Sequence, residues 1–144
     1  MSDIPATRPS VLFVCIGNAG RSQMAAGYLA HLARGALEVR SAGTRPARRA
    51  SPDVIAAMAE EGIDISAERP KALTEEALQE ADVVVTLGGG DACPVLPGKR
   101  YEDWALEDAA GRDVAALRPL RDEIKGRVRQ LLTELLPALH PDAG

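Results

Sequence analysis

Aromatic residues make up only 3% of this 144-residue chain: one Trp, two Tyr and one Phe. A core must therefore be assembled mainly from Ala, Val, Leu and Ile. Cysteine is equally scarce, at Cys15 and Cys93 alone, too few for a disulfide framework. The two cysteines and two histidines are scattered along the chain without the paired spacing of a Cys/His cluster, so no metal site is expected. The apolar runs, such as residues 11–15 and 83–85, fall far short of the ~20 residues that a membrane-spanning helix needs. The first ten residues lack the apolar stretch of a secretory signal. Positive charge is in deficit as well: 17 Lys plus Arg against 21 Asp plus Glu give a net charge of -4. That is the wrong sign for a general nucleic-acid or anionic-membrane binder. These absences lead us to expect a cytoplasmic α/β domain with reduced thiols and neither nucleic acid nor membrane as partner. Any anion site must be local and built against the overall field.

A chain of this length reads as one domain, with ~70% of its unfolded surface buried. Residues 11–139 are assigned to it, between short tails at 1–10 and 140–144. Val11-Leu12-Phe13-Val14 is a continuous apolar run, as expected for a strand buried on both faces. It breaks at Cys15-Ile16-Gly17-Asn18-Ala19-Gly20, a tight loop, after which Ser22 can cap a helix through Met24, Tyr28, Leu29 and Leu32. A second strand is expected at residues 37–40, closed by the turn-like Ser41-Ala42-Gly43-Thr44. Ser51-Pro52-Asp53 starts a helix with Val54, Ile55, Met58 and Ala59 as its buried stripe and Gly62 beyond its end. Thr74-Glu75-Glu76 opens a short helix, and residues 82–87 form a second clear buried strand running into Gly88-Gly89-Gly90. Leu117, Leu120, Ile124, Val128, Leu131, Leu132 and Leu135 mark a long amphipathic helix. Strands alternating with helices point to an open parallel sheet with helices on both faces. Such sheets bind ligands beyond the carboxyl ends of their strands, at a switch in strand order.

The loop after the first strand carries the chemistry. Cys15 ends the strand and Arg21 follows six positions later across a Gly-containing arc. A thiol below a helix N-terminus and beside a guanidinium is favoured as thiolate, the nucleophilic form. The backbone N–H groups of Ile16, Gly17, Asn18, Ala19, Gly20 and Arg21 can form a nest for a tetrahedral oxyanion. Arg21 can clamp two of its oxygens, and Ser22 can donate a hydrogen bond to the Cys15 sulfur. Asn18 can take left-handed backbone geometry or lock the loop with its amide. No Gly-Lys-Ser/Thr follows, which excludes a nucleotide P-loop.

Residues 11–25, VLFVCIGNAGRSQMA, resemble the signature of the low-molecular-weight tyrosine phosphatase superfamily. Its phosphatases usually follow Arg-Ser with Pro, whereas its arsenate reductase branch has Gln-Met-Ala, as at Gln23-Met24-Ala25 here. Ser41-Ala42-Gly43-Thr44, Glu61-Gly62-Ile63-Asp64-Ile65-Ser66 and Val84-Val85-Thr86-Leu87-Gly88 are similar to the reductase branch too. The resemblance implies a three-layer open sheet of about four parallel strands, and a general acid in a loop after the fourth. Asp108 stands in the matching region, with Glu107 as second choice, although Ala109 replaces the Pro that usually follows the acid. Residues 109–111, Ala-Ala-Gly, offer none of the aromatics expected beside this acid in an enzyme acting on phosphotyrosine.

Cys93-Pro94 looks like the end of the reductases' redox segment, which makes Cys93 the candidate resolving thiol. The middle cysteine of the three-thiol members is replaced by Gly88, and Gly20 stands where many members carry a second loop cysteine. Ala26 replaces a Glu that helps some reductases hold potassium. The resemblance therefore implies an arsenate reductase-like enzyme in which Cys15 attacks arsenate and Asp108 protonates the departing oxygen. An external thiol, mycothiol or glutathione, then resolves the adduct, with a redoxin-type donor behind it. Fourteen Arg against three Lys hint at a GC-rich genome and incline the choice toward mycothiol. Two alternatives stay open: a phosphatase working through a cysteinyl-phosphate, and a non-catalytic oxyanion-binding regulatory module.

Overall fold

A computed structural model describes residues 8–88 and 93–136. Gly89, Gly90, His140 and most of the two expected tails lie outside the described residues. The chain runs β1 (Ser10–Cys15), α1 (Arg21–Ala33), β2 (Glu38–Gly43), α2 (Pro52–Ala59), α3 (Glu75–Glu80), β3 (Val83–Thr86), β4 (Arg100–Asp103) and α4 (Val114–Leu135). Every strand pair is parallel and the order is β2-β1-β3-β4. The chain leaves β1 for one neighbour and later returns on its other side, so the switch in strand order falls at the end of β1. Cys15 occupies that end.

β1 is buried throughout because both of its faces are covered. Alternation sends Val11, Phe13 and Cys15 into one cluster with residues of α1, α2 and α4. Leu12 and Val14 enter a smaller cluster on the other face with Ala42, Leu78, Val84 and Cys93. Three of the four aromatics serve the larger layer. Tyr28 and Phe13 are buried there, and Phe13 meets Trp104 with ring centroids 5.8 Å apart. Ser51, Thr74 and Asp113 cap α2, α3 and α4 by accepting from Val54, Ala77 and Ala116 N–H groups.

Several expectations are corrected. Ser41, Ala42 and Gly43 are not a turn but the buried end of β2, in register with Phe13, Val14 and Cys15. Ser22 does not cap α1: Gly20 holds the cap position without a side-chain bond, and Ser22 lies inside the helix. In α2 the buried stripe is Val54, Ala57 and Met58, while Ala59 faces solvent. β4 carries no apolar pattern because it is an edge strand with partly exposed residues.

The larger layer is tied at its rim by charge. Arg121 of α4 is buried, and its Nη1 donates to Ala57 O at 3.0 Å and to Glu60 Oε1 at 2.7 Å. Arg118 grips the same carboxylate, with Nη2 2.7 Å from Oε2. Next to it, Glu61 accepts from Lys125 at 2.9 Å and from the Tyr28 hydroxyl at 3.0 Å. These bonds join the end of α2 to α4 and α1. The hydrogen bonds from Arg118 and then Arg121 lower the Glu60 carboxyl from 4.5 to about 2. A carboxyl depressed on folding stabilises the native state above its unfolded value and ceases to as pH falls through the folded one. Acid unfolding followed by circular dichroism should therefore draw on Glu60 between pH 4.5 and about 2. Glu60→Gln should flatten that limb and lower the melting temperature at pH 7.

Candidate active site

The loop from Cys15 to Gly20 is held from outside by its carbonyls. Cys15 O accepts from Thr44 N at 3.1 Å, Ile16 O from Arg45 N at 2.8 Å, and Gly17 O from Ala47 N at 2.9 Å. Gln23 Nε2 donates to Asn18 O at 3.0 Å, Ser51 N to Ala19 O at 3.1 Å, and Met24 N to Gly20 O at 2.9 Å. With six successive carbonyls engaged, the N–H groups turn the other way. Those of Gly17, Ala19 and Gly20 have no hydrogen-bond partner among the described residues. Free amides gathered in this way at a helix N-terminus are an arrangement able to hold an anion.

Asn18 is the lock of the loop. Its φ of 52° places it in the left-handed region, which Asn tolerates better than most residues. Its side-chain oxygen accepts from Lys71 N at 2.8 Å, and its Nδ2 donates to Ser22 Oγ at 2.7 Å. Ser22 Oγ lies 2.9 Å from Cys15 Sγ. Since Asn18 Nδ2 can only donate, the Ser22 hydroxyl proton is left for the sulfur. Asn18 N–H donates to the same sulfur at 3.3 Å. Two hydrogen-bond donors thus converge on Sγ. Gly43, paired with Cys15, lies beneath this arrangement; a β-carbon there would stand 2.7 Å from Ile16 O and 3.0 Å from Asn18 N.

Arg21 is buried at the first position of α1, and its Nη1 donates to Leu106 O at 3.3 Å. Its Nη2 lies 3.6 Å from Asp108 Oδ1, so the loop after β4 brings Asp108 to the rim of the nest. Asp108 stays two-thirds exposed and accepts from Ala110 N at 3.1 Å, while Glu107 is turned to Arg112. Ala109 is buried over Gly20, where an added β-carbon would stand 2.8 Å from its own. Gly20 must be small for that reason. Arg45, Arg48 and Arg49 are exposed on the segment that binds the loop carbonyls, and none forms an ion pair among the described residues. They supply local positive charge on a chain of net charge -4.

Cys93 is placed apart from Cys15. Its side chain packs in the smaller cluster, on the opposite face of β1, and that burial pushes its thiol pKa up. It nonetheless lines a cleft of about 790 Å³ together with Gly88, Leu106 and Glu107, next to the Arg21 side of the loop. Both cysteines are free thiols. His31 lies exposed on α1, away from the loop. Sequence reasoning missed Gln23 as a strut, the carbonyl-binding segment at Thr44, Arg45, Ala47 and Ser51, and the Lys71 amide. Among these only Gln23 carried a signal, as a polar residue at a position α1 buries. Among the described residues no group of three His, Cys, Asp or Glu is placed to hold a metal, and no helix is long and apolar enough to cross a membrane.

The low molecular weight phosphotyrosine protein phosphatase family matches residues 10–139. The chain belongs to this family. A thioredoxin-dependent arsenate reductase from Corynebacterium glutamicum is 41% identical over 92% of this chain, with a TM-score of 0.80. This chain covers 64% of that protein's length. An arsenate reductase solved in a phosphate-binding state is 36% identical, covering 88% of this chain and 98% of its own, with a TM-score of 0.77. The low molecular weight tyrosine phosphatase of T. tengcongensis has a TM-score of 0.80 at 27% identity, covering 88% of this chain and 99% of its own. Its lower identity sets this family member with the arsenate reductase branch.

Two substitutions probe the loop of this low molecular weight phosphatase-family member. Gln23→Ala leaves Asn18 O unpaired in a buried place, which should cost about 1–3 kcal/mol in urea denaturation. Ser22→Ala removes a donor from the sulfur and should slow iodoacetamide alkylation of Cys15 at pH 7 by roughly tenfold, as expected for a lost charge-assisted bond.

Proposed function

We propose that this protein is a thiol-dependent arsenate reductase. The observation that carries this reading is the loop: outward-locked carbonyls, free amides within, and Cys15 Sγ holding the Ser22 and Asn18 donors. That arrangement suits a tetrahedral oxyanion bound within reach of a thiolate, with Arg21 as its clamp. Arsenate is favoured over an aryl phosphate by the sequence of residues 109–111, where no aromatic stands beside Asp108. Likeness to two arsenate reductases, one of them in a phosphate-binding state, supports the same choice.

The steps follow from the positions of the groups. The Cys15 thiolate attacks arsenic, a sulfur–arsenic bond forms, and one oxygen leaves as water with a proton from Asp108. The nest amides and Arg21 stabilise the negative charge on the remaining oxygens. An external thiol then attacks the Cys15 sulfur, the sulfur–arsenic bond breaks with its electron pair passing to arsenic, and a second thiol equivalent opens the resulting mixed disulfide to free Cys15. Two thiols end as a disulfide, arsenic gains two electrons, and arsenite departs. Mycothiol or glutathione would serve as that thiol, with a redoxin-type donor regenerating it. Cys93 would join only if its segment left the smaller cluster. The cytoplasm, where Cys15 stays reduced, is the compartment this chemistry needs.

Arsenite release assayed with thioredoxin, mycothiol and glutathione systems, beside p-nitrophenyl phosphate hydrolysis, tests the reading. Arsenite should form with at least one thiol system and vanish in Cys15→Ser. Phosphatase turnover without arsenite under any thiol would establish the phosphatase reading, which the T. tengcongensis likeness makes the second to try. Failure of phosphate to slow Cys15 alkylation would remove the anion site altogether. Asp108→Asn should lower the first turnover by about a hundredfold, within the range of general acid catalysis, with a smaller effect on anion affinity.

A further inference from the structure

β2 is an edge strand, first in the order β2-β1-β3-β4, so only one of its sides has a neighbouring strand. Glu38 N and Thr44 N donate to Pro9 O and Cys15 O at 2.9 and 3.1 Å, so the even-numbered residues turn their main-chain groups to β1. The odd-numbered residues turn theirs outward. Gly43 uses both: its N donates to Lys71 O at 2.7 Å and its O accepts from Leu73 N at 2.9 Å, which pairs it in parallel with Ala72. That pairing stops there. Two residues back, the outward N–H and C=O of Ser41, and its hydroxyl, have no hydrogen-bond partner among the described residues. Val39 repeats the outward pair about 6.6 Å farther along the strand. Ser41 is nonetheless only 5% exposed, and buried main-chain groups are almost always paired. Gln23 is buried beside it; its Nε2 is committed to Asn18 O, while its Oε1 has no partner among the described residues. Val39, Ser41 and Gln23 line one groove of about 560 Å³ along this edge. Ala26, Gly27 and Ala30 of α1 form one wall, and their small size keeps it open. None of them is a carboxylate, since Ala26 stands where some reductases carry a potassium-holding Glu.

We propose that the outer edge of β2 at Val39 and Ser41 takes an extended backbone segment of a partner protein as an added parallel strand. One carbonyl of that segment accepts from Ser41 N–H, and the N–H two residues on donates to Ser41 O. Lys71 and Leu73 already make this arrangement with Gly43, so the incoming strand continues an existing register. An extended chain fits better than a compact ligand because the orphan pairs recur at the repeat of a strand. Main-chain pairing of this kind gives affinity without demanding one sequence, and the small walls suit small side chains. A further donor on the segment can meet Gln23 Oε1. Nothing in the pairing depends on the chemistry of Cys15, so it stands or falls separately from the reductase reading.

The probe is the blocked peptide N-acetyl-Ala-Ala-Ala-N-methylamide, titrated into the full-length protein and followed by amide NMR. The Ser41 and Val39 amide resonances should shift along one saturable curve. Exchange of the Ser41 amide proton with deuterium should slow at least tenfold in the bound state. The same peptide with every amide nitrogen methylated has no donor left and should bind at least tenfold more weakly. Ala26→Leu fills the groove from α1; it should weaken the unmethylated peptide at least tenfold and leave the rate of Cys15 alkylation within twofold. If that variant does not fold, the methylated peptide decides alone. No saturable shift at Ser41, or equal binding of the methylated peptide, would overturn the proposal. Slow exchange of the Ser41 amide in the free protein would overturn it too, because another group would then already hold that N–H. Potassium chloride reproducing the same shifts would make the groove a cation site and overturn it as well.

Discussion

Everything at the site depends on where six carbonyls point. A short loop at the end of β1 has as many acceptors as donors, and either set could face inward. Thr44, Arg45, Ala47 and Ser51 offer their backbone N–H groups from one side, while Gln23 and Met24 take the remaining carbonyls. Once those acceptors are engaged outside, the amides have only the interior left. An anion nest on a chain of net charge -4 therefore needs no excess of cations. Peptide dipoles, one buried guanidinium and three exposed arginines on the carbonyl-binding segment provide the local field.

The fold is arranged to hold that segment in place. Extending β2 to Gly43 sets its end level with Cys15, and the chain then crosses directly beneath the loop. Gly43 permits the crossing because any side chain would meet Ile16 O. Ala109 closes the site from the β4 side by resting on Gly20. Gly20 and Gly43 each mark a place where another group comes too close for a side chain. The ion pairs of Glu60 and Glu61 stand farther out and hold α1, α2 and α4 as one layer.

Much of the candidate site was legible because its chemistry is local. Cys15, Asn18, Arg21 and Ser22 fall within eight residues, and a strand, loop and helix fix their relative places whatever surrounds them. Asp108 was reachable only through resemblance, since nothing in its own neighbourhood distinguishes it from other exposed acids. Ser41, Ala42 and Gly43 carry turn-forming composition and were misread as a turn. Pairing with a buried neighbour strand outweighs that local preference. Nothing in the sequence marks Arg121 of α4 for burial, which the Glu60 carboxylate and the Ala57 carbonyl at the end of α2 make possible.

By itself the sequence determined the parallel α/β arrangement, the loop and its thiol, and the impossibility of a three-cysteine relay in a chain with two cysteines. Those follow from periodicity, glycine placement and counting, which need no distant contact. Tertiary structure decided which way the loop amides face, because their carbonyl partners lie some 30 residues on. It also decided that Cys93 packs on the opposite face from Cys15. Each of these is a contest for one volume or one hydrogen-bond partner between segments far apart in the chain. Only the folded packing determines which segment wins.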